Sequence, residues 1–185
     1  MKTCIFDLET FTLHADTGIL LCASFKEYDR NKVTTIRADS YPNWRKSRSD
    51  VKPVCRAIIE ALEGFDIFVA HNGLWFDRAM LVSWALKYNL PLFLRFAKFI
   101  DPVHLCRQKM RLSRNSLSSV LQFLGIEQEK TPIKWDHWKQ AAYDGSRSSM
   151  DYIVEHCETD VWALEAAYCK MRKLVREIND RGSAW

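Results

Sequence analysis

The chain has 185 residues, of which 48% are hydrophobic and 27% are charged, and its formal net charge is +4 at pH 7. This length and composition predict one folded domain over residues 1–185 and exclude an intrinsically disordered chain. No run of about 20 apolar residues occurs and no apolar segment follows the N-terminus, which argues against a membrane span and a secretory signal. We therefore expect a cytoplasmic protein, and the small positive charge identifies no partner by itself.

The cysteines are scattered and none forms a C-x-x-C pair. Most stand in apolar context, so we expect reduced thiols in the core of a cytosolic protein rather than disulfides. Apart from the region around residue 156, no Cys or His spacing is typical of a zinc site, and zinc is not expected.

The first third of the chain predicts strands followed by a helix. Segments 2–8, 18–27 and 32–37 have the composition of strands and are separated by short turns, which favours an antiparallel meander. Residues 38–50 are polar and basic and predict a loop. A helix is predicted within 49–65, where an Asp lies near the start, apolar residues recur at helical spacing and a Gly lies near the end.

Strands and helices then alternate. The predicted elements are a strand at 66–72, a helix at 75–88, a strand at 96–101 and a capped helix at 116–126. Residues 126–149 are predicted to be irregular, with "KWDHW" on a short helix, and 149–178 carry the longest amphipathic pattern. This order predicts an α/β fold with a mixed sheet, three antiparallel strands followed by parallel ones, flanked by helices.

Three segments carry acids that a common site would explain. Asp7 and Glu9 are one residue apart on the first strand, so their side chains share a face and repel unless a cation or a proton lies between them. Asp77 lies in the first turn of a helix, and His156 and Asp160 share one helix face four residues apart. Each position also has a purely structural explanation: a strand end reaching solvent, stabilisation of a helix dipole, and a solvated helix face.

Together, "FDLET", "HNGLWFD" and "HCETD" resemble the three motifs of the DEDD (DnaQ-like) 3′–5′ exonuclease superfamily, over residues 5 to about 165. "SLSSVLQFLGI" also resembles the helix between the second and third motifs of family B polymerase exonuclease domains. The resemblance implies a ribonuclease H-like fold and a nucleic-acid substrate. It implies two Mg²⁺ or Mn²⁺ ions bound by Asp7, Glu9, Asp77 and Asp160, and contacts to the terminal nucleotide from Thr10, Phe11, Asn72 and Phe76.

Phosphodiester hydrolysis explains why such a site needs several acids. The reaction requires an activated water and a stabilised leaving alkoxide, and two Mg²⁺ ions about 3.5–4 Å apart can serve both oxygens. Magnesium prefers oxygen ligands and keeps several waters, so a few carboxylates from separate elements suffice.

The third motif departs from both branches of the superfamily. One branch has Tyr four residues before the last Asp, and the other has His five residues before it. Here Glu155 lies five residues before Asp160 and His156 lies four before it. A shift of one residue turns a helical side chain by about 100°. We expect His156 to take the position of the tyrosine and to orient or deprotonate the nucleophilic water; the alternative is a passive substitution.

Two basic segments are candidates for contact with a phosphate backbone: "WRKSR" at 44–48 and "RQKMRLSR" at 107–114. Charge runs more often form a solvated surface. Since backbone contacts read no sequence, we expect little sequence specificity on a single-stranded DNA or RNA 3′ end.

The expected function is that of a metal-dependent 3′–5′ exonuclease acting on single-stranded DNA or 3′ ends. A non-catalytic nucleic-acid or protein-binding module on the same fold and a ribonuclease H-type endonuclease are the alternatives. Polymerase-type relatives carry the exonuclease within a much larger chain, and 185 residues leave no room for a polymerase. We therefore expect a stand-alone nuclease, or one that works with a separately encoded protein partner.

Overall fold

A mixed five-stranded sheet forms the centre of the computed structural model, which describes residues 1–127 and 132–180, the last five as backbone only. The strand order is β3-β2-β1-β4-β5. The strands are β1 (Thr3–Phe11), β2 (Ile19–Glu27), β3 (Thr34–Arg37), β4 (Ile67–Val69) and β5 (Lys98–Ile100). The first three pair antiparallel, and β4 and β5 add in parallel to β1. The predicted α/β fold with a mixed sheet is confirmed.

Helices cover both faces of this sheet. They are α1 (Lys52–Leu62), α2 (Asp77–Tyr88), α3 (Pro102–Lys109), α4 (Leu117–Phe123), α5 (Trp135–Lys139) and α6 (Arg147–Asp180). Along β1, Phe6 packs into the core cluster that contains α1 and α2, whereas Ile5 packs into the cluster that contains α3, α4 and the middle of α6. Strand β2 is almost wholly buried because both of its faces are covered.

The face of β1 that carries Ile5 also carries the first two predicted site residues, Asp7 and Glu9, because side chains alternate along a strand. The pairing of β1 with β2 shifts register between Glu9 and Thr10. Such irregularities bend a strand and re-aim its side chains. The strand is therefore regular up to the acids and irregular just beyond them.

Three regions differ from the sequence-based expectation. Helix α3 was not predicted, and Asp101 and Pro102 occupy its N-cap and first position. The segment 38–50 contains 3₁₀ turns at Ala38–Ser40 and Pro42–Arg45. Between 126 and 149 the chain is more regular than predicted, since α5 continues into a π-helical turn at Gln140–Asp144. Residues 128–131 of that prediction lie outside the described residues.

The remaining expectations concern the cysteines and the membrane. Five of the six thiols are buried, in agreement with a core role, and Cys169 is exposed. Among the helices of the described residues, none has both the length and the apolar character needed to cross a bilayer.

Candidate active site

Glu9 lies among the other acids in the centre of the site. Burial raises the pKa of the Glu9 carboxyl well above its usual range, and the nearby charges of Asp7, Asp160 and Asp77 raise this pKa further. These interactions show that the acids of the first strand, of the start of α2 and of α6 act on one another. The structure thus brings together the four acids that the sequence predicted to share a site.

Asp77 begins α2 and is only 3% exposed. Burial is the largest cause that raises the pKa of this carboxyl, followed by the charge of Asp7, while backbone hydrogen bonds from Asp77 itself and Leu8 lower it. A solvated acid that merely stabilises the helix dipole would show neither burial nor contact with β1. Asp77 therefore lies against β1, beside Asp7, as well as at the start of α2.

His156 faces the acids from α6. The residue is 2% exposed, and its Nε2 lies 3.7 Å from Glu9 Oε1 and 3.8 Å from Asp160 Oδ2. Both distances exceed a hydrogen bond but place the ring nitrogen between the two carboxylates. The solvated-face alternative for this part of the helix is wrong, because the imidazole is buried against the site.

Trp138 is a site residue that the sequence reasoning missed. Its indole Nε1 donates to Glu9 Oε2 over 2.9 Å, and its ring meets the His156 ring edge-to-face at 5.4 Å. This hydrogen bond stabilises the ionised form of Glu9 and lowers its pKa, against the larger effect of burial. The residue lies on the predicted short helix, but nothing in "KWDHW" indicates which of its aromatic rings turns inward.

Asp101 is a second missed residue, and it holds the loop of the second motif. Its carboxylate accepts from the backbone N–H groups of Asn72 at 3.0 Å and Leu74 at 3.2 Å, and from Val103 at 2.9 Å as the N-cap of α3. Gly73 is required in this loop because a Cβ there would lie 2.2 Å from the Ala70 Cβ. The Asp101 carboxylate thus fixes the loop that leads to Asp77.

The four residues expected to contact the terminal nucleotide lie around the acids in different environments. Thr10 is buried and donates its hydroxyl proton to the Thr12 carbonyl over 2.6 Å. Phe11 is half-buried, edge-to-face with the exposed Tyr143 at 4.9 Å. Asn72 is exposed with a left-handed φ of 64°, and Phe76 is half-buried immediately before Asp77.

The two basic segments have different structural roles. In 44–48, Trp44 is buried and the Arg48 guanidinium donates to the backbone carbonyls of Ala142 and Tyr143. That arginine therefore anchors the π-helical turn. Arg45 and Lys46 of the same segment are exposed, and a phosphate contact from them stays a prediction. In 107–114 the basic side chains are exposed.

Most of the chain matches a known protein family. A model of the RNase_H superfamily, the family RNase_H_2, matches residues 4–172. The chain belongs to the RNase H superfamily. This RNase H-like domain has the mixed sheet, the helices on both faces and the acids on the first strand described above.

Two archaeal polymerases are similar to parts of this RNase H-like chain. A DNA polymerase of Methanocaldococcus jannaschii is 24% identical over 157 residues, which are 71% of this chain and 10% of the polymerase. The solved structure of the family B DNA polymerase from Pyrobaculum calidifontis matches with a TM-score of 0.69 and 14% identity, over 92% of this chain and 24% of that one. The chain therefore spans a quarter or less of either relative. The match to the solved structure supports the assignment of the fold.

The acids of this RNase H-like site have the type of ligand atom that hard divalent cations prefer. Asp7, Glu9, Asp77 and Asp160 offer only carboxylate oxygens, which Mg²⁺ and Mn²⁺ prefer. Their mutual repulsion and burial would be offset by positive charge between them. Within the described residues, no group of three or more His, Cys, Asp or Glu side chains is already arranged as a set of metal ligands. Mg²⁺ usually keeps several water ligands, so such ions would not need a complete cage of protein side chains.

The raised pKa of Glu9 predicts a pH-dependent stability of the metal-free protein. Because the folded pKa lies above the unfolded value of about 4.3, the contribution of Glu9 is fully favourable below that pH and is lost as pH rises through the folded pKa. In Glu9→Gln the side chain cannot ionise, so this loss of stability with rising pH is absent. Each unit by which the pKa is raised corresponds to about 1.4 kcal/mol, or about 3–6 °C in Tm for a domain of this size.

Thermal melts in EDTA between acidic and neutral pH measure this effect. The difference in Tm, Glu9→Gln minus wild type, should grow as pH rises. Glu63→Gln, at an exposed position after α1, is the matched control and should follow the wild type throughout. Parallel curves for wild type and Glu9→Gln would contradict the prediction.

Proposed function

We propose that this RNase H-like chain, as a single domain, is a metal-dependent 3′–5′ exonuclease of the DEDD superfamily that hydrolyses single-stranded DNA or RNA from a 3′ end. The observation that carries the proposal is the meeting of four acids from β1, α2 and α6 beside a buried histidine. A module that only bound nucleic acid would gain nothing from an acidic cluster facing a polyanion.

Asp7, Glu9, Asp77 and Asp160 would hold two Mg²⁺ or Mn²⁺ ions. When bound, such ions supply a more acidic attacking water and a stabilised leaving 3′ oxygen. The protein contributes the placement of the carboxylates. Trp138 keeps one oxygen of Glu9 in place through its N–H, and the fold holds Asp77 at the start of α2.

His156 is proposed to orient the attacking water and to accept its proton. The Nε2 atom is within 4 Å of carboxylate oxygens of both Glu9 and Asp160, so a water beside these acids is also beside the imidazole. We thus propose that His156 takes the position that the tyrosine has in the tyrosine branch of the superfamily.

Thr10, Phe11, Asn72 and Phe76 are proposed to surround the terminal nucleotide. Phe11 lies two residues beyond Glu9 on the same strand, and its contact with Tyr143 holds the ring against the segment that carries Trp138. Asn72 and Phe76 belong to the loop that Asp101 fixes. A nucleic-acid substrate also agrees with the DNA polymerases named above.

Digestion of a 5′-labelled single strand with Mg²⁺ or Mn²⁺ tests the proposed reaction. We expect a ladder that shortens by one nucleotide at a time, equal on strands of different sequence, and abolished by EDTA. Cutting of a circular single strand would assign endonuclease activity instead. Tight binding without any product would support the binding-module alternative, and full activity in EDTA would exclude a metal mechanism.

A further inference from the structure

Trp75 is an exposed aromatic side chain beside the site that the proposed reaction does not use. It lies two residues before Asp77 and is 71% exposed. An exposed indole of this size is unfavourable in water, and aromatic rings at nucleic-acid surfaces serve as stacking platforms. Both of its backbone neighbours in the loop, Leu74 and Phe76, are fixed by hydrogen bonds to Asp101 and Asn72 respectively.

The indole itself is also fixed. Its Nε1 donates to His104 Nε2 over 3.1 Å, from the loop after β4 to the first turn of α3. A ring held by its N–H edge keeps its orientation and still offers a face to solvent. The loss of side-chain freedom on binding is therefore small, which favours recognition by stacking.

The basic segment 107–114 is attached at both ends to the same loop. His104 meets Trp75 at one end, and the Asn115 carbonyl lies 2.9 Å from His71 Nε2 at the other. Arg107 follows His104 by three residues on α3 and so shares its side of the helix. Residues 102–126 contain no acid, and the exposed cations of the segment are Arg107, Lys109, Arg111 and Arg114.

We infer that Trp75 stacks on an unpaired base of the substrate, upstream of the nucleotide at the acids, while the 107–114 segment follows the phosphates of the same strand. This inference rests on the proposed function and narrows its substrate to a 3′ end that is single-stranded over several nucleotides. A base within a duplex is stacked on its neighbours and cannot offer a free face to the indole.

Binding to a single-stranded oligonucleotide tests the stacking. The full chain carries Asp7→Ala, which prevents cleavage, and the probe is a 5′-fluorescein strand of about 12 nucleotides, within the site size of single-strand-binding folds. Adding Trp75→Ala should raise Kd by about 5- to 150-fold, the equivalent of 1–3 kcal/mol per stacked base. Trp75→Phe retains an aromatic face and should recover most of the affinity.

Phe96→Ala is the matched control. Phe96 is 81% exposed and precedes β5, at the opposite end of that strand from Asp101. Its removal should leave Kd unchanged. A loss for Trp75→Ala no larger than that for Phe96→Ala would overturn the inference.

An abasic scan locates the stacked base. One nucleotide at a time is replaced by an abasic residue, counted from the 3′ end, and each strand is measured with and without Trp75→Ala. At one position the two changes should be strongly non-additive, because removing the base already removes the contact. The inference would be overturned if Trp75→Ala raised Kd by the same factor at every abasic position. It would also be overturned if Trp75→Ala raised Kd for a blunt duplex by the same factor as for the single strand.

These binding results are independent of the chemistry. If the wild-type chain cleaves no strand, the proposed exonuclease fails, while the abasic scan still reports on Trp75. If the wild type produces the expected ladder and the scan is additive everywhere, the exonuclease proposal stands and the Trp75 subsite is wrong.

Discussion

Asp7→Ala and Asp160→Ala should each lower kcat by on the order of 10³-fold or more. The two acids lie on different elements, β1 and α6, and both act on Glu9, so each borders the same small volume. Losing a ligand would weaken the binding of a cation that, as proposed, would stabilise the transition state by several kcal/mol. Every 1.4 kcal/mol is tenfold in rate. The measurement is single-turnover cleavage of the labelled strand at saturating Mg²⁺.

The stability of the metal-free variants separates a ligand from a structural acid. Removing one acid from this group lowers the repulsion that raises the pKa of Glu9. Both variants should therefore melt in EDTA no lower than the wild type. Glu155→Ala, an exposed acid on the same helix, is the matched control and should keep full activity. A marked fall in the Tm of metal-free Asp7→Ala would mean that this acid is structural.

His156→Ala should lower kcat by about 10²–10⁴-fold, the usual range for a positioned acid–base group. The four acids remain, so the affinity for Mn²⁺, measured by calorimetry, should change little. Since His156 is buried against Trp138, a Tm for the variant confirms that the protein remains folded. Wild-type activity in His156→Ala would leave catalysis to the acids and their cations alone.

His156→Tyr then distinguishes a base from an orienting group. The spacing to Asp160 is already that of the tyrosine branch, so the phenol should recover part of the rate lost in His156→Ala. If the imidazole accepts the proton, wild-type activity falls as pH drops through the range in which imidazole is protonated. The tyrosine variant should lack that acidic limb. Profiles of identical shape would show that His156 only orients the water.

The sequence was most informative where a short segment determines the geometry. Alternation along β1 places Asp7 and Glu9 on one face, and the spacing of four residues places His156 and Asp160 on one side of α6. These relations are local, and tertiary packing did not change them. The order of the main elements was also readable, because β1, β2, α1 and α6 are long or strongly patterned.

The missed features depend on contacts between distant segments. Trp138 reaches Glu9 across 129 residues of sequence, and no local pattern distinguishes it from Trp135, the other tryptophan of "KWDHWKQ". Helix α3 is short, and its basic residues obscured the N-cap Asp101 and the Pro after it, which are a readable helix start. Arg48 shows the converse, since composition alone cannot separate a phosphate-binding arginine from one that caps backbone carbonyls.

The packing of α6 across the start of the sheet has a consequence for folding. The Cys157 thiol donates to the Asp7 carbonyl across 150 residues of sequence, so the site closes one of the longest loops in the fold. Such non-local contacts cost the most chain entropy and form slowly. A partly folded chain whose sheet and first helices are in place still lacks His156 and Asp160. The proposed chemistry would therefore be confined to the completed fold, and a folding intermediate that precedes the docking of α6 would lack it.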